Sequence, residues 1–165
     1  MKTQHTLQQH VIFGAGLIGG FLYGVLASQG VSAAMVARSS VRKKLQGGLH
    51  LSDYNDNRAE IDSPHFVAAG ELVTDFLWLT VKCTAIASVI TELASFVNQK
   101  TVIFCCQNGL GSDELIKQAF PNNRILKVTA VPQFHNIDNC LFLSGSSSIG
   151  GENKSYKFLR SKRFS

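Results

Sequence analysis

The chain of 165 residues has few charged side chains and little proline. Charged residues make up 16% of it and hydrophobic residues 45%, which excludes the highly charged, weakly hydrophobic composition of a disordered protein. With only three prolines, the chain has no proline-rich linker. A chain of this length buries one good hydrophobic core, so a single globular domain is the simplest organisation.

The spacing of the cysteines fits neither a disulfide framework nor a zinc site. The four cysteines form no C-x-x-C pair, and two of them are adjacent within an apolar run. Free cysteines in such runs behave as small hydrophobic side chains. We therefore expect Cys83, Cys105, Cys106 and Cys140 to be buried thiols in a reducing compartment, and we expect no metal site.

Acidic residues are fewer than basic ones, which gives a formal net charge of +5. Most of the excess lies in the segment 151–165, whose basic residues are Lys154, Lys157, Arg160, Lys162 and Arg163. The rest of the chain is nearly balanced, so we expect no general nucleic-acid surface. A local pocket for an anionic ligand is compatible with this balance.

No charged residue occurs from Val11 to Ala37, and this stretch has two interpretations. Gly16, Gly20 and Gly24 have the four-residue spacing of a self-associating membrane helix, and the apolar length also suits a secretory signal. Against both, the polar segment 28–32 interrupts the stretch and contains a glycine typical of a helix end. The membrane helix is therefore the less favoured alternative, and we expect no membrane partner.

A dinucleotide-binding fold accounts for the same stretch. Residues 11–13 predict a buried parallel strand, and the G-x-G-x-x-G run after it opens a helix. Gly14 permits the tight turn, Gly16 lets the backbone approach a pyrophosphate, and Gly19 lets the helix pack closely on the sheet. The helix is expected to bury one stripe, formed by Leu17, Ile18, Phe21, Leu22, Val25 and Leu26.

Arg38 ends the second predicted strand, where NAD-binding sites usually place an aspartate or glutamate for the ribose hydroxyl. A guanidinium binds a 2′-phosphate through paired hydrogen bonds, whereas a carboxylate repels it. Arg38 therefore indicates NADP rather than NAD as cofactor. The alternative is that Arg38 belongs to a solvated basic turn at a helix start.

The remaining pattern alternates strands with helices, which predicts an α/β fold of the Rossmann type with a doubly wound parallel sheet. A turn-rich segment predicts an inserted hairpin, Leu49–Ser52 and Arg58–Ile61. Further strands are expected at 76–81, 101–106, 124–131 and 140–143. Further helices are expected from a stripe of apolar residues over 86–97 and from Ser112 to a point before Pro121.

Two polar residues follow predicted strands at the sheet edge where open α/β folds bind ligands. Lys82 follows the strand at 76–81 and is placed to contact a cofactor ribose or phosphate. Asn108 follows the strand at 101–106, and its side chain offers a donor and an acceptor for a carboxamide, a ribose or a substrate carbonyl. The alternatives are a solvent-exposed lysine at a strand end and an asparagine that suits a turn.

Four segments, FGAGLIGG, LTVKCTA, CCQNGLGSDELI and RILKVTAV, resemble in order and spacing the N-terminal domain of ketopantoate reductases (2-dehydropantoate 2-reductases). The resemblance covers roughly residues 9–150. It implies NADPH-dependent reduction of 2-dehydropantoate, a small 2-keto acid, to pantoate in pantothenate and coenzyme A biosynthesis, in the cytoplasm.

The resemblance also implies roles for individual residues. Arg38 takes the 2′-phosphate, Lys82 lies along the cofactor, and Asn108 sits between the nicotinamide and the substrate. The pyrophosphate is bound by the glycine loop, whose residues are Gly14, Ala15, Gly16, Leu17, Ile18 and Gly19.

The chain also departs from the family pattern. Ala85 stands where the family usually has glutamine, and Lys127 where it usually has glycine. The family continues into a helical domain with a catalytic lysine, whereas this chain continues into the basic segment. We therefore expect a polar leader over 1–8, an NADP-binding domain over 9–150 and a disordered or aberrant tail over 151–165.

Such a truncated reductase would carry no catalytic residue and would be inactive alone. The alternative is a non-catalytic NADP-binding remnant. An uncovered face of the domain is expected to favour self-association.

Overall fold

A computed structural model of the chain describes residues 9–52, 58–107 and 112–128. The strands are β1 (His10–Phe13), β2 (Ala33–Val36), β3 (Leu49–Ser52), β4 (Arg58–Ile61), β5 (Phe76–Leu79), β6 (Val102–Cys105) and β7 (Arg124–Lys127). The helices are α1 (Leu17–Ser28), α2 (Ser39–Leu45), α3 (Ile86–Ala94) and α4 (Ser112–Ala119), with a 3₁₀ turn over Cys83–Ala85. The element order matches the α/β pattern predicted from the sequence.

Five of the strands form one parallel sheet in the order β2-β1-β5-β6-β7, and β3 pairs with β4 as a separate antiparallel hairpin. Val11 in β1 packs in a core cluster with residues of α3 and α4, whereas Ile12 packs in a second cluster with residues of α1 and the hairpin. Elements therefore cover both faces of the sheet, which confirms the doubly wound Rossmann-type fold.

The central strands are apolar because both of their faces are buried. Val11 and Ile12 are wholly buried although they point to opposite sides of β1. β1 pairs in register with β2 on one side and with β5 on the other. Because β1 is paired on both sides, its carboxyl end fixes the start of the loop that follows it.

Helix α1 buries a different face from the predicted stripe. Leu17 is 93% exposed, Ile18 41% and Phe21 48%. The buried residues of α1 are Gly19, Gly20, Leu22, Tyr23 and Gly24. The prediction was therefore wrong for the first half of the stripe, because the glycines, and not the large apolar residues there, face the rest of the domain.

The hairpin explains the four-residue glycine spacing in α1. A Cβ atom on Gly24 would lie 2.5 Å from Cδ1 of Leu51, and a Cβ on Gly20 would lie 4.0 Å from Cδ1 of Leu49. Small residues thus let β3 approach the helix closely. In the part of the chain that the structure describes, no helix has the length and apolar character needed to cross a membrane.

The structure also tests the predictions for the hairpin and for three of the four cysteines. The hairpin has the predicted bounds, and Cys105 and Cys106 are buried, but Cys83 is exposed, so its predicted burial was wrong. That cysteine lies in the 3₁₀ turn that follows β5, outside the apolar strand. Cys140, the strand at 140–143, the leader and the basic tail lie outside the described residues.

Candidate functional site

The candidate site lies at the carboxyl edge of the sheet, between β1 and β5. The strand order reverses there, because β1 connects through α1 to β2 on one side and β5 connects through α3 to β6 on the other. Open α/β sheets bind ligands in the crevice that such a reversal creates. The loop of residues 14–16 after β1 and the segment 80–82 after β5 border this crevice.

Two glycines, Gly14 and Gly19, let the loop after β1 pack closely against the end of β5. Gly14 has a φ of 113°, and a Cβ atom there would lie 2.9 Å from Cγ1 of Val81. A Cβ atom on Gly19 would collide with the carbonyl oxygen of Gly14 and lie 2.7 Å from Oγ1 of Thr80. Glycine is therefore required at 14 and 19 by conformation and by packing within the domain.

Gly16 differs from these two glycines. Its φ of −78° is ordinary for any residue, and a Cβ atom there would have no neighbour within 4 Å. Neither the backbone nor the packing of the described residues calls for glycine at this position. A ligand that approaches the backbone closely would occupy the open space beside Gly16.

The same loop presents unpaired backbone donors. Within residues 9–52, 58–107 and 112–128, the N–H groups of Ala15, Gly16 and Leu17 have no acceptor, and the Gly20 N–H, 2.8 Å from the Gly16 carbonyl, closes the first turn of α1. The first turn contains no acidic side chain, and no side chain caps it. These donors and the positive end of the helix dipole suit an anion such as a phosphate.

Arg38 and Arg42 have different roles at the end of β2. Arg42 donates from Nε to the Ala37 carbonyl at 3.1 Å and from Nη2 to the Val67 carbonyl at 2.8 Å, so it holds a neighbouring loop. Arg38 precedes α2 and is exposed, and its side chain has no hydrogen bond or ion pair with any residue that the structure describes. The guanidinium of Arg38 is thus available to a ligand at this edge.

Lys82 lies at the same edge. It follows β5, its side chain is exposed, and its carbonyl accepts the Ala85 N–H at 2.9 Å in the 3₁₀ turn. Asn108 lies outside the described residues. The fold therefore brings the glycine loop, Arg38 and Lys82 to one edge of the sheet, and the role of Asn108 stays a prediction.

Two polar residues at this edge were missed by the sequence reasoning. The Thr80 hydroxyl lies 2.6 Å from the Gly14 carbonyl oxygen, and Nε2 of Gln107 donates to the carbonyls of Leu79 at 2.8 Å and Val81 at 3.1 Å. Oε1 of Gln107 is buried without a partner in the described part of the chain. The available signals were a polar residue near the end of the predicted strand at 76–81, for Thr80, and one directly after the predicted strand at 101–106, for Gln107.

The sequence model of the family described as "Ketopantoate reductase PanE/ApbA" matches residues 10–147. The chain belongs to this family. No curated protein gave a significant match.

Solved structures of ketopantoate reductases share the fold of the chain. The 2-dehydropantoate 2-reductase from Geobacter metallireducens GS-15 is 25% identical with a TM-score of 0.66, and the match covers 74% of this chain and 41% of that one. The enzyme of the same name from Methylococcus capsulatus is 24% identical with a TM-score of 0.62, and the match covers 72% and 39%. The chain thus spans about two fifths of the length of these structures.

A related fold occurs in a protein of another name. A ternary structure of D-mandelate dehydrogenase with NADH and anilino(oxo)acetate is 20% identical with a TM-score of 0.61, and the match covers 74% of this chain and 40% of that one. The fold of this ketopantoate reductase family member therefore also occurs in a D-mandelate dehydrogenase.

The buried thiols of the site region are unsuited to nucleophilic chemistry. Burial raises the pKa of Cys105, at the end of β6, and of Cys106 to about 12, so both stay protonated at neutral pH. No cluster of three histidine, cysteine or carboxylate side chains placed to hold a metal ion occurs among the described residues. The N–H groups of the glycine loop and the exposed Arg38 and Lys82 suit an anionic ligand at this edge.

Proposed function

We propose that this chain binds NADPH and forms the cofactor half of a reductase that acts on 2-dehydropantoate. The observation that carries the proposal is the open space at Gly16 beside unpaired N–H groups, in the crevice where the strand order reverses. Membership of the ketopantoate reductase family supports the reaction class. When bound, the cofactor supplies the hydride, and the residues of this chain bind and orient it.

The residues fit the parts of this cofactor. The N–H groups of Ala15, Gly16 and Leu17 would hold the pyrophosphate, with Ile18 and Gly19 completing the first turn of α1. Lys82 would lie along the ribose and phosphate part, and Asn108 would contact the nicotinamide and the keto acid. The NADP-binding domain is proposed to extend over residues 9–150. We also propose that the protein works in the cytoplasm, in pantothenate biosynthesis.

The preference for NADPH over NADH rests on Arg38. Its exposed guanidinium stands directly after β2 with no acidic side chain beside it in the sequence. A 2′-phosphate gains charge-assisted hydrogen bonds from this group, whereas a plain ribose hydroxyl does not. The D-mandelate dehydrogenase structure contains NADH, so the fold by itself does not decide the nucleotide.

Titration of the chain with NADPH and with NADH, followed by nucleotide fluorescence, tests the proposal. We expect tighter binding of NADPH, by about 10- to 100-fold, because a charge-assisted contact contributes roughly 1.5–3 kcal/mol. Equal affinities would contradict the role of Arg38, and no binding of either nucleotide would contradict the site.

A second candidate function is NADPH binding without turnover. The observation that favours it is the match itself, which covers only about two fifths of each solved reductase. A positioned general acid typically contributes roughly 10²–10⁴-fold to a rate, and the residues of the matched part are proposed only to bind the cofactor. We expect the 165-residue chain to bind NADPH but to oxidise it slowly with 2-dehydropantoate, and rapid turnover would rule this candidate out.

A further inference from the structure

Thr80 is the first residue after β5, and its hydroxyl faces the glycine loop. Oγ1 lies 2.6 Å from the carbonyl oxygen of Gly14 and 3.1 Å from that of Phe13. A hydroxyl has one proton to donate, so the shorter contact, to Gly14, is the main hydrogen bond. Thr80 is thereby joined to the peptide unit on which the loop turns.

This hydrogen bond fixes the direction of one backbone donor. In a trans peptide the C=O and N–H bonds of one unit point in opposite directions, and the described part of the chain has no cis peptide. The Gly14 carbonyl points toward Thr80 and Gly19, so the Ala15 N–H of the same unit points away from them. Ala15 N–H has no acceptor in the described part of the chain.

Without such a bond, the peptide between Gly14 and Ala15 would be easy to turn over. Gly14 has no Cβ atom, and its φ of 113° lies in the region that glycine tolerates best. In the reversed orientation a carbonyl oxygen would replace the N–H beside the ligand and would repel a phosphate. A side-chain donor that holds the carbonyl on the protein side therefore matters for anion binding.

Gln107 keeps Thr80 itself in place. Its Nε2 donates to the carbonyls of Leu79 and Val81, the residues on either side of Thr80. The backbone N–H of Thr80 also donates to the Phe13 carbonyl at 3.0 Å. The backbone around Thr80 is thus held from both sides, by Phe13 of β1 and by Gln107, which follows β6.

We propose that Thr80 is a positioning residue, whose hydroxyl holds the Gly14–Ala15 peptide so that the Ala15 N–H points to the pyrophosphate of the nicotinamide cofactor. This inference rests on the proposed function, since it assumes that a dinucleotide occupies the crevice. Thr80 acts through the loop and need not touch the cofactor.

Thr80→Val tests the inference, because valine has nearly the shape of threonine but no hydroxyl. We expect about 5- to 10-fold weaker NADPH binding, the loss that follows from one hydrogen bond. Thr80→Ser keeps the hydroxyl and should bind within about twofold of the unmodified chain. Thr91→Val, an exposed threonine on α3, is the matched control and should bind normally.

Adenosine 2′-monophosphate separates positioning from a merely structural role. It has the 2′-phosphate but no pyrophosphate, so Thr80→Val should leave its affinity unchanged. Equal weakening of both ligands, or failure of Thr80→Ser to restore NADPH affinity, would overturn the inference. In the unmodified chain the amide proton resonance of Ala15 should shift with NADPH and not with adenosine 2′-monophosphate, which covers the case of a Thr80→Val chain that does not fold.

The outcomes distinguish the two proposals. If the unmodified chain binds NADPH, Gly16→Val abolishes binding and Thr80→Val binds normally, the cofactor site stands and the positioning role is wrong. If the unmodified chain binds no NADPH, the proposed function fails and the role of Thr80 fails with it.

Discussion

Gly20 and Gly24 lie one turn apart in α1, and alanine at the two positions should change stability in opposite directions. Alanine in a helix is favoured over glycine by about 0.5–1 kcal/mol, so each substitution starts with the same gain. At Gly20 the new Cβ makes an ordinary contact, 4.0 Å from Leu49 Cδ1. Gly20→Ala should therefore raise the free energy of unfolding by about 0.5–1 kcal/mol.

At Gly24 the new Cβ is too close to the hairpin. It would lie 2.5 Å from Cδ1 and 2.9 Å from Cγ of Leu51, and 3.2 Å from Cδ2 of Leu49. Overpacking of this kind costs about 1–3 kcal/mol. Gly24→Ala should therefore be less stable than Gly20→Ala by about 1–3 kcal/mol. The gain in helix propensity is the same at both positions, so it does not contribute to this difference.

Urea unfolding followed by the fluorescence of Trp78 measures this difference, since Trp78 is the one tryptophan of the chain and is buried. Leu51→Ala should offset part of the cost of Gly24→Ala in a double-mutant cycle, because it removes the atoms that collide. A Gly24→Ala chain as stable as Gly20→Ala would refute the packing of the hairpin on the glycine face.

Three further predictions concern charge and protonation. Arg38→Ala should remove most of the preference for NADPH over NADH in a fluorescence titration, whereas Arg124→Ala, an exposed arginine at the start of β7, should keep it. Burial lowers the pKa of His10 below its usual 6.5. As the pH falls, His10 therefore takes up a proton at a higher pH in the unfolded chain than in the folded chain. The free energy of unfolding should therefore decrease between about pH 7 and pH 5. The decrease should be less steep in His10→Gln, and an equally steep decrease in this variant would show that His10 is not its cause. Cys105 and Cys106, with pKa values of about 12, should resist thiol alkylation at neutral pH until the chain unfolds, as located by mass spectrometry.

Local sequence signals were sufficient for much of the fold. The apolar run at 11–13, the glycines after it and the turn cluster between Ser52 and Arg58 each act over a few residues, so strand, loop and hairpin could be predicted. The carboxyl-edge placement of Arg38 and Lys82 also followed, since parallel strands end at the same edge of a sheet.

The rest depended on contacts between distant segments. The buried face of α1 is set by the hairpin that packs on Gly24, and helical periodicity alone favoured large residues such as Leu17 instead. Thr80 and Gln107 gained their importance only when β1, β5 and β6 were brought side by side. A polar residue after a strand marks an edge position but does not tell which carbonyl it will contact.

Binding of NADPH by Gly16→Val, compared with the unmodified chain, tests the proposed cofactor site most directly. Gly16 and Gly47 are both exposed glycines at which an added Cβ meets nothing within 4 Å, so Gly47→Val is the matched control away from the crevice. We expect Gly16→Val to lose NADPH binding while its free energy of unfolding changes by less than about 1 kcal/mol, and Gly47→Val to bind normally. A Gly16→Val chain that binds NADPH as tightly as the unmodified chain would contradict the proposal that the open space beside Gly16 receives the pyrophosphate.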